Sequence, residues 1–285
     1  MAKAIIPPIS KLCNGVIRIL GMNPGVMTLQ GTNTYLLGDG KRRILIDTGE
    51  DGKPEYIANL KTVLEEEDVS IEHIIITHWH GDHIGGVKDI LQHVGSDVPV
   101  WKFPRTDAEE QCGIPLKFLK DGDEFKVDDT VLRVCHTPGH TTDHVILFSP
   151  VNGHMFSGDN VLGEGTAVFE DLYEYMKSLN SMLKLNPIKI FPGHGPVVED
   201  PVEKLSYYIN HRNAREAQIL SVLHDNPEKK LTAMDIVKII YVDVNENLHN
   251  AAAFNVNHHL EKLLKEGKVV SQDGSWVYRK QECNL

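Results

Sequence analysis

An α/β fold is predicted for residues 1–200, a connecting helix for 201–225, and a small unit of two helices and a two-stranded wing for 226–285. Three observations carry that division. Short β-branched apolar runs alternate with stretches whose apolar residues recur every three or four positions, as strands interleaved with amphipathic helices do. Several runs stop at a Gly-containing turn or loop that presents a His or an Asp, which is where open α/β sheets place their ligands. Finally, Asn226-Pro227 breaks a long helical stretch, and a new pattern starts beyond it.

Taken in order, residues 16–20, 34–37 and 44–46 read as strands separated by Gly turns. Residues 54–67 read as a helix with Ile57, Leu60, Val63 and Leu64 on one face. Residues 71–77 form a buried strand, and Gly85-Gly86 opens a helix. The stretch from Pro99 to Lys117 shows no period and is expected to be a loop near a site mouth. Strands resume at 131–135 and 145–148. Residues 171–185 read as a helix with Leu172, Tyr175, Leu179, Met182 and Leu183 on one face. Asp200 before Pro201 opens the connecting helix, which runs to about His224. Thr232 caps the next helix. Residues 251–266 form another, with Phe254, His258, Leu260, Leu263 and Leu264 inward and Gly267 at its end. Residues 268–270 and 276–278 make the wing.

The chemistry is concentrated in Thr77-His78-Trp79-His80-Gly81-Asp82-His83, with four potential metal ligands in six positions. Imidazole and carboxylate together suit a borderline divalent ion such as zinc. Downstream, His140, Asp159 and His194 each follow a strand and a Gly turn, whose backbone freedom lets the chain approach what the side chain holds. Five His and two Asp are enough for two metals with open positions. Two metals about 3.5–4 Å apart can share a water, lower its pKa and clamp the oxygens of a displacement, which suits phosphodiesters, thioesters, lactams and lactones alike. Asp47 and Thr77 are placed to hydrogen-bond ligating imidazoles.

His-x-His-x-Asp-His, then a lone His, Asp and His, with Ile46-Asp47-Thr48-Gly49 ahead of them, resembles the motif set of the metallo-β-lactamase superfamily over about the first 200 residues. The resemblance implies an αββα sandwich with a dinuclear zinc site on one edge. His78, His80 and His140 would hold one zinc, Asp82, His83 and His194 the second, and Asp159 would bridge. The tail resembles a winged-helix unit. Residues 31–35, 163–176 and 208–216 further resemble a branch of mitochondrial endoribonucleases that cut single-stranded RNA. That likeness implies a nuclease loaded with two Zn2+ (or Mn2+), single-stranded RNA as partner, the mitochondrial matrix as compartment and no membrane. The rival is a glyoxalase-II-like thioester hydrolase, whose usual Cys-Gly-Arg segment and helical tail are replaced here by Gly163-Glu164-Gly165 and the wing.

In this reading Asp82 is a ligand and proton acceptor, Asn33 donates a hydrogen bond to the reacting centre, and His144 orients a ligand or shuttles a proton to the leaving group. Trp79 stacks a base or packs on the first domain. Arg212 and Arg215 face phosphates or pair with acids at the domain interface.

Composition bounds the alternatives. The chain is 41% hydrophobic and 24% charged, as globular proteins are, and no run approaches the ~18 apolar residues of a membrane span. All of the net charge of −11 falls in residues 1–200, which hold 18 Lys and Arg against 29 Asp and Glu; residues 201–285 hold 11 of each. Bound cations would offset that locally, so the sum weakens a nucleic-acid partner without removing it. The opening residues show neither a signal-peptide core nor an Arg-rich presequence. Cys13, Cys112, Cys135 and Cys283 lack Cys-x-x-Cys spacing and are expected as free thiols in a reducing compartment. Both points weigh against a secreted antibiotic-degrading lactamase.

Overall fold

The computed structural model describes residues 4–105, 107–108 and 113–279. Among them, one seven-stranded sheet runs in the order β1 (Ile9–Cys13), β2 (Val16–Leu20), β3 (Asn33–Leu37), β4 (Arg42–Ile46), β5 (Ser70–Ile76), β6 (Val100–Lys102), β7 (Lys117–Phe118). β1 to β4 pair antiparallel, whereas β5 and β6 add in parallel. Parallel pairing needs crossovers, and these are supplied by α1 (Pro54–Glu67) and by α2 (Gly81–Ile84) with α3 (Val87–His93). A second sheet is built from β8 (Glu124–Val127), β9 (Thr130–His136), β10 (Val145–Ser149), β11 (His154–Gly158) and β12 (Lys189–Pro192). α4 (Leu172–Lys184) makes its parallel crossover from β11 to β12.

The strand period of two sorts the core into layers. Ile44, Ile46 and Ile75 point between the sheets, against Leu132, Val134, Leu147 and Phe156. Leu45, Ile74 and Ile76 point the other way, onto Leu60 and Ile90 of the first helical layer. On the far side, Ile146, Met155 and Ile190 pack on Tyr175 and Leu179 of α4 and on Leu205 of α5 (Pro201–His224). With both faces of the sheet covered, β2 and β3 are buried throughout, Arg18, Asn33 and Thr34 included. The result is the expected αββα sandwich.

α5 belongs to two cores. Leu205, Tyr208 and Ile209 pack with α4, while Ile219 and Leu223 pack with α6 (Ala233–Ile240), α7 (His249–Lys265), β13 (Val269–Gln272) and β14 (Ser275–Tyr278). Asp200 caps α5 by accepting from Glu203 N, and Thr232 and Asp235 form a capping box on α6. No described helix is long and apolar enough to cross a membrane. Cys13 and Cys135 are free thiols; Cys112 and Cys283 lie outside the described residues.

Two expectations need correction. The stretch from Pro99 to Lys117 contains β6, whose Val100-Trp101-Lys102 is too short and too charged to show a strand pattern; residues 106 and 109–112 lie outside the described ones. On α7 the inner stripe is Val256, Leu260 and Leu263, spaced i, i+4, i+7, and Phe254 and Leu264 off that stripe are 67% and 42% exposed. His259 is fully buried beside the stripe, and neither ring nitrogen has a hydrogen-bond partner.

That histidine makes the C-terminal unit acid-sensitive. Burial, reinforced by Arg212, Lys262 and Arg215, pushes its pKa down to about 3. An unfolded His titrates near 6.5, so between the two values the unfolded chain binds the extra proton and stability falls as pH falls. At pH 5 the loss is about 2 kcal/mol. His259→Leu should lose that much less than wild type between pH 7.5 and pH 5, measured by urea unfolding followed through amide exchange in α6 and α7. Equal losses would show that the imidazole is not held neutral.

Candidate metal centre

Every donor lies at the carboxyl end of a strand. His78 and His80 follow β5, and Asp82 and His83 ride on the single turn of α2. His140 follows β9, Asp159 follows β11 and His194 follows β12. Asp47, after β4, adopts a left-handed backbone with φ of 58°, a conformation rare and costly away from Gly. What it gains is a carboxylate reaching three groups. Oδ1 accepts from Thr77 N at 2.8 Å, and Oδ2 accepts from Thr77 Oγ1 at 2.9 Å and lies 2.8 Å from His83 Nδ1.

These contacts fix imidazole tautomers, as outer partners of metal-binding histidines do. His83 Nδ1–H donates to Asp47 Oδ2, which turns Nε2 to the cleft. Because the Thr77 hydroxyl spends its proton on Asp47, its oxygen accepts from His78 Nδ1 at 3.0 Å. His140 Nδ1 donates to Val168 O at 2.8 Å, and His194 Nδ1 approaches Gly31 O at 3.4 Å. Four ring nitrogens therefore face one cleft.

The converging atoms form two groups, His78, His80, His140 and Asp159 in one, and Asp82, His83 and His194 in the other. In the first, His80 Nδ1 lies 3.0 Å from His78 Nε2 and 3.2 Å from His140 Nε2. In the second, His194 Nε2 lies 3.3 Å from His83 Nε2 and 3.1 Å from Asp82 Oδ2. Tetrahedral ligands about 2.0–2.1 Å from a zinc ion sit about 3.3 Å apart, so the spacing fits a divalent cation in each. Asp159 lies between them. Its Oδ1 is 3.4 Å from His83 Nε2, and its Oδ2 is 3.4 Å from His194 and 3.8 Å from His140. Oδ1 is buried without a hydrogen-bond partner, the condition of a carboxylate shaped for a cation.

Without a cation, charge is uneven across the pair of groups. Burial and neighbouring imidazoles hold His78 well below its ordinary value and His80 at about 4. In the second group burial opposes protonation of His194, yet the Asp159 and Asp82 carboxylates outweigh it and raise the group to about 9. Asp82 is pushed up by burial but held at about 2 by His83 and His194, so it stays ionised at neutral pH.

The structure brings all seven expected ligands together and relocates two other residues. Asn33 is 1% exposed, and its amide donates to Pro192 O and Gly195 O, both at 2.9 Å. It staples the His194 loop to the first sheet and has no donor left for a reacting group. His144 is fully buried; its Nε2 accepts from Asp159 N at 3.1 Å while Nδ1 faces Thr137 Oγ1 at 3.2 Å. Burial keeps it neutral, well below its ordinary pKa. It aims Asp159 and has no path to a leaving group.

Arg212 and Arg215, expected to face phosphates or to pair with acids at the domain interface, pair with no acid among the described residues. Arg212 lies 4.8 Å over Phe169, and Arg215 lies 4.1 Å over Tyr241 and donates to Gln218. Trp79 is half-buried with the Arg105 guanidinium 4.2 Å above its ring.

Two supports escaped sequence reading. A Cβ on Gly193 would stand 2.4 Å from Asp159 Oδ1 and 2.9 Å from His83 Cε1, so only Gly lets the loop close on the donors; the Pro192-Gly193-His194 triplet was its signal. Behind His140, Lys102 and Asp143 form a fully buried ion pair at 2.7 Å. Asp143, three residues past a ligand, was a weak signal, and Lys102 gave none.

A sandwich with these donors at its strand ends is the fold and site of a metal-dependent hydrolase. The chain belongs to the metallo-beta-lactamase superfamily, whose model matches residues 27–194, and residues 232–276 match the beta-lactamase associated winged helix domain. It is 56% identical over 273 residues to the beta-lactamase-like protein 2 homolog of Drosophila melanogaster, covering 93% of each chain. The Caenorhabditis elegans protein described in the same words is 47% identical, over 93% of this chain and 89% of that one. The solved beta-lactamase domain protein of Burkholderia ambifaria superposes with a TM-score of 0.76 over 95% of this chain and 93% of its own. At 19% identity, that likeness speaks for the fold alone.

Proposed function

We propose that the protein is an endoribonuclease that hydrolyses phosphodiester bonds of single-stranded RNA in the mitochondrial matrix, using two zinc ions, with manganese as a substitute. The observation that carries this is the placement of Asp159 between two donor groups of cation spacing. A divalent pair held there would neutralise a phosphodiester, lower the pKa of the attacking water and stabilise charge on the leaving oxygen. Two such ions against two carboxylates would leave the cleft floor positive, despite the acidic domain around it.

The chain's own groups do the rest. Asp82, ionised at neutral pH, accepts the proton of the attacking water, while Thr32 Oγ1 donates to its Oδ2 at 3.3 Å and fixes its rotamer. Trp79, next to His80, offers a base a ring, and the Arg105 guanidinium over that ring is paired with Asp107 at 2.8 Å. The resemblance of residues 31–35, 163–176 and 208–216 to a branch of endoribonucleases supports the same reading.

A second reading, thioester hydrolysis, is favoured by the walls of the cleft. Around a volume of about 230 Å³ stand Val26, Met27, Leu162, Ala167 and Val168, and among the described residues no Lys or Arg lines it. Apolar walls suit an acyl chain as well as base faces. Metal-stripped protein, reloaded with zinc or manganese, should be given single-stranded RNA, duplex RNA and an acyl-glutathione thioester. Internal cuts in the single strand, only with metal, are expected. Thioester turnover with RNA left intact would replace the nuclease reading by the other.

A further inference from the structure

Lys204, Tyr208 and Arg212 lie four residues apart on α5 and so share one face. All three reach residues 163–171, the segment whose Gly165, Thr166, Ala167 and Val168 form one wall of the cleft. Lys204 Nζ lies 3.3 Å from Gly165 O, the Tyr208 hydroxyl donates to the same oxygen at 3.1 Å, and Arg212 Nη2 donates to Ala167 O at 3.1 Å. The next carbonyl along is that of Val168, which accepts His140 Nδ1–H at 2.8 Å. Beyond it the segment is pinned again, because the N–H groups of Glu170 and Asp171 both donate to Gly139 O, one residue before His140. A Cβ on Gly139 would meet the Tyr175 backbone at 2.3 Å, so no other residue allows that dock.

The second helix of the winged unit closes the same segment from outside. His258 of α7 packs edge-on to Phe169 at 5.3 Å, and Lys265 pairs with Asp171. That helix is turned onto the catalytic sandwich at these points, and the unit's balanced charge agrees with a packing role. Arg212 is the pivot. It is 6% exposed, its contacts are a carbonyl and an aromatic face, and its Nε has no partner. A buried guanidinium without a carboxylate is a poor device for stability alone.

We infer that Arg212 is a positioning residue for His140: by holding the Ala167 carbonyl and the Phe169 ring, it fixes the Val168 carbonyl that sets the tautomer and aim of the imidazole. Helix α5 and the winged unit thereby act on the donor group from behind the cleft wall. The inference stands whichever bond the protein cuts.

The test uses the full chain with Arg212→Met, which keeps the stem and removes the donor, and Arg212→Lys, which can still reach Ala167 O. In metal-free protein, nitrogen NMR of the histidine rings should show His140 protonated at Nδ1 in wild type and as a mixture of tautomers in Arg212→Met. Cobalt affinity of the His78, His80, His140 group should fall at least ~10-fold, the scale for losing an outer partner of a ligating imidazole. Affinity at Asp82, His83 and His194 should not change, and Arg212→Lys should restore most of the loss. An Arg212→Met protein with wild-type His140 signals and wild-type cobalt affinity overturns the inference. If that variant fails to fold, Phe169→Leu decides, since it removes the ring without touching α5; unchanged His140 signals there overturn it equally.

Discussion

An Asp82→Asn variant is expected to turn over at least ~100-fold more slowly than wild type while unfolding at the same denaturant concentration. The substitution takes away an anionic donor and the proposed proton acceptor together. Asp82 Oδ2 lies 3.1 Å from His194 Nε2 and 3.4 Å from His83 Nε2, and its carboxyl is held at about 2, so its charge is present at neutral pH. The amide has nearly the same shape, and the side chain is 22% exposed, so packing should tolerate the exchange. Steady-state rates and metal content, measured on the same preparation, check this. Near-normal turnover in a fully metallated variant removes Asp82 from the chemistry.

The largest expected loss of stability lies behind the site. Lys102→Met should cost about 3–5 kcal/mol, because it leaves the Asp143 charge buried without its cation. The pair is fully buried at 2.7 Å, in charge contact without hydrogen-bond alignment, and Thr141 Oγ1 donates to the other carboxylate oxygen at 2.7 Å. Asp143 sits between His140 and His144, so the turn that presents both imidazoles rests on it. The double variant Lys102→Met with Asp143→Leu should recover much of the loss, since exchanging a buried pair for apolar groups of similar size is often neutral. Urea unfolding of the two singles and the double gives the coupling. A single variant as stable as wild type would mean that water reaches the carboxylate.

Much of this was legible in the sequence, for reasons that differ from place to place. His78 to His83 stood out because ligand chemistry was packed into one loop, and His140, Asp159 and His194 because Gly turns marked their strand ends. The helices at 54–67 and 201–224 matched their patterns because proline openings and apolar spacing agreed. β6 was hidden because three residues cannot display a period and one is a buried lysine. Asn33 is held away from the reacting centre, and of the two roles open to His144 the structure keeps the orienting one and not the proton shuttle, for another reason. Sequence reveals a polar residue near a motif, but it does not reveal that Pro192 O, Gly195 O or Asp159 N already occupies it. Residues 163–171 carry no period at all; their meaning comes from carbonyls that three residues of a distant helix grip. On α7 Leu260 and Leu263 face inward as expected, whereas Phe254 and Leu264 do not, because a docked helix has two neighbours and its second buried side carries His259 and Lys262, the latter against Glu216.

The central claim is that seven side chains form one centre holding two cations with Asp159 between them. Anomalous diffraction at the zinc edge, on crystals of protein loaded with zinc and washed free of excess, tests it most directly. The account predicts two peaks, one within the group of His78, His80 and His140 and one within that of Asp82, His83 and His194, each within bonding distance of Asp159. A single peak, or two that leave Asp159 uncoordinated, would contradict it.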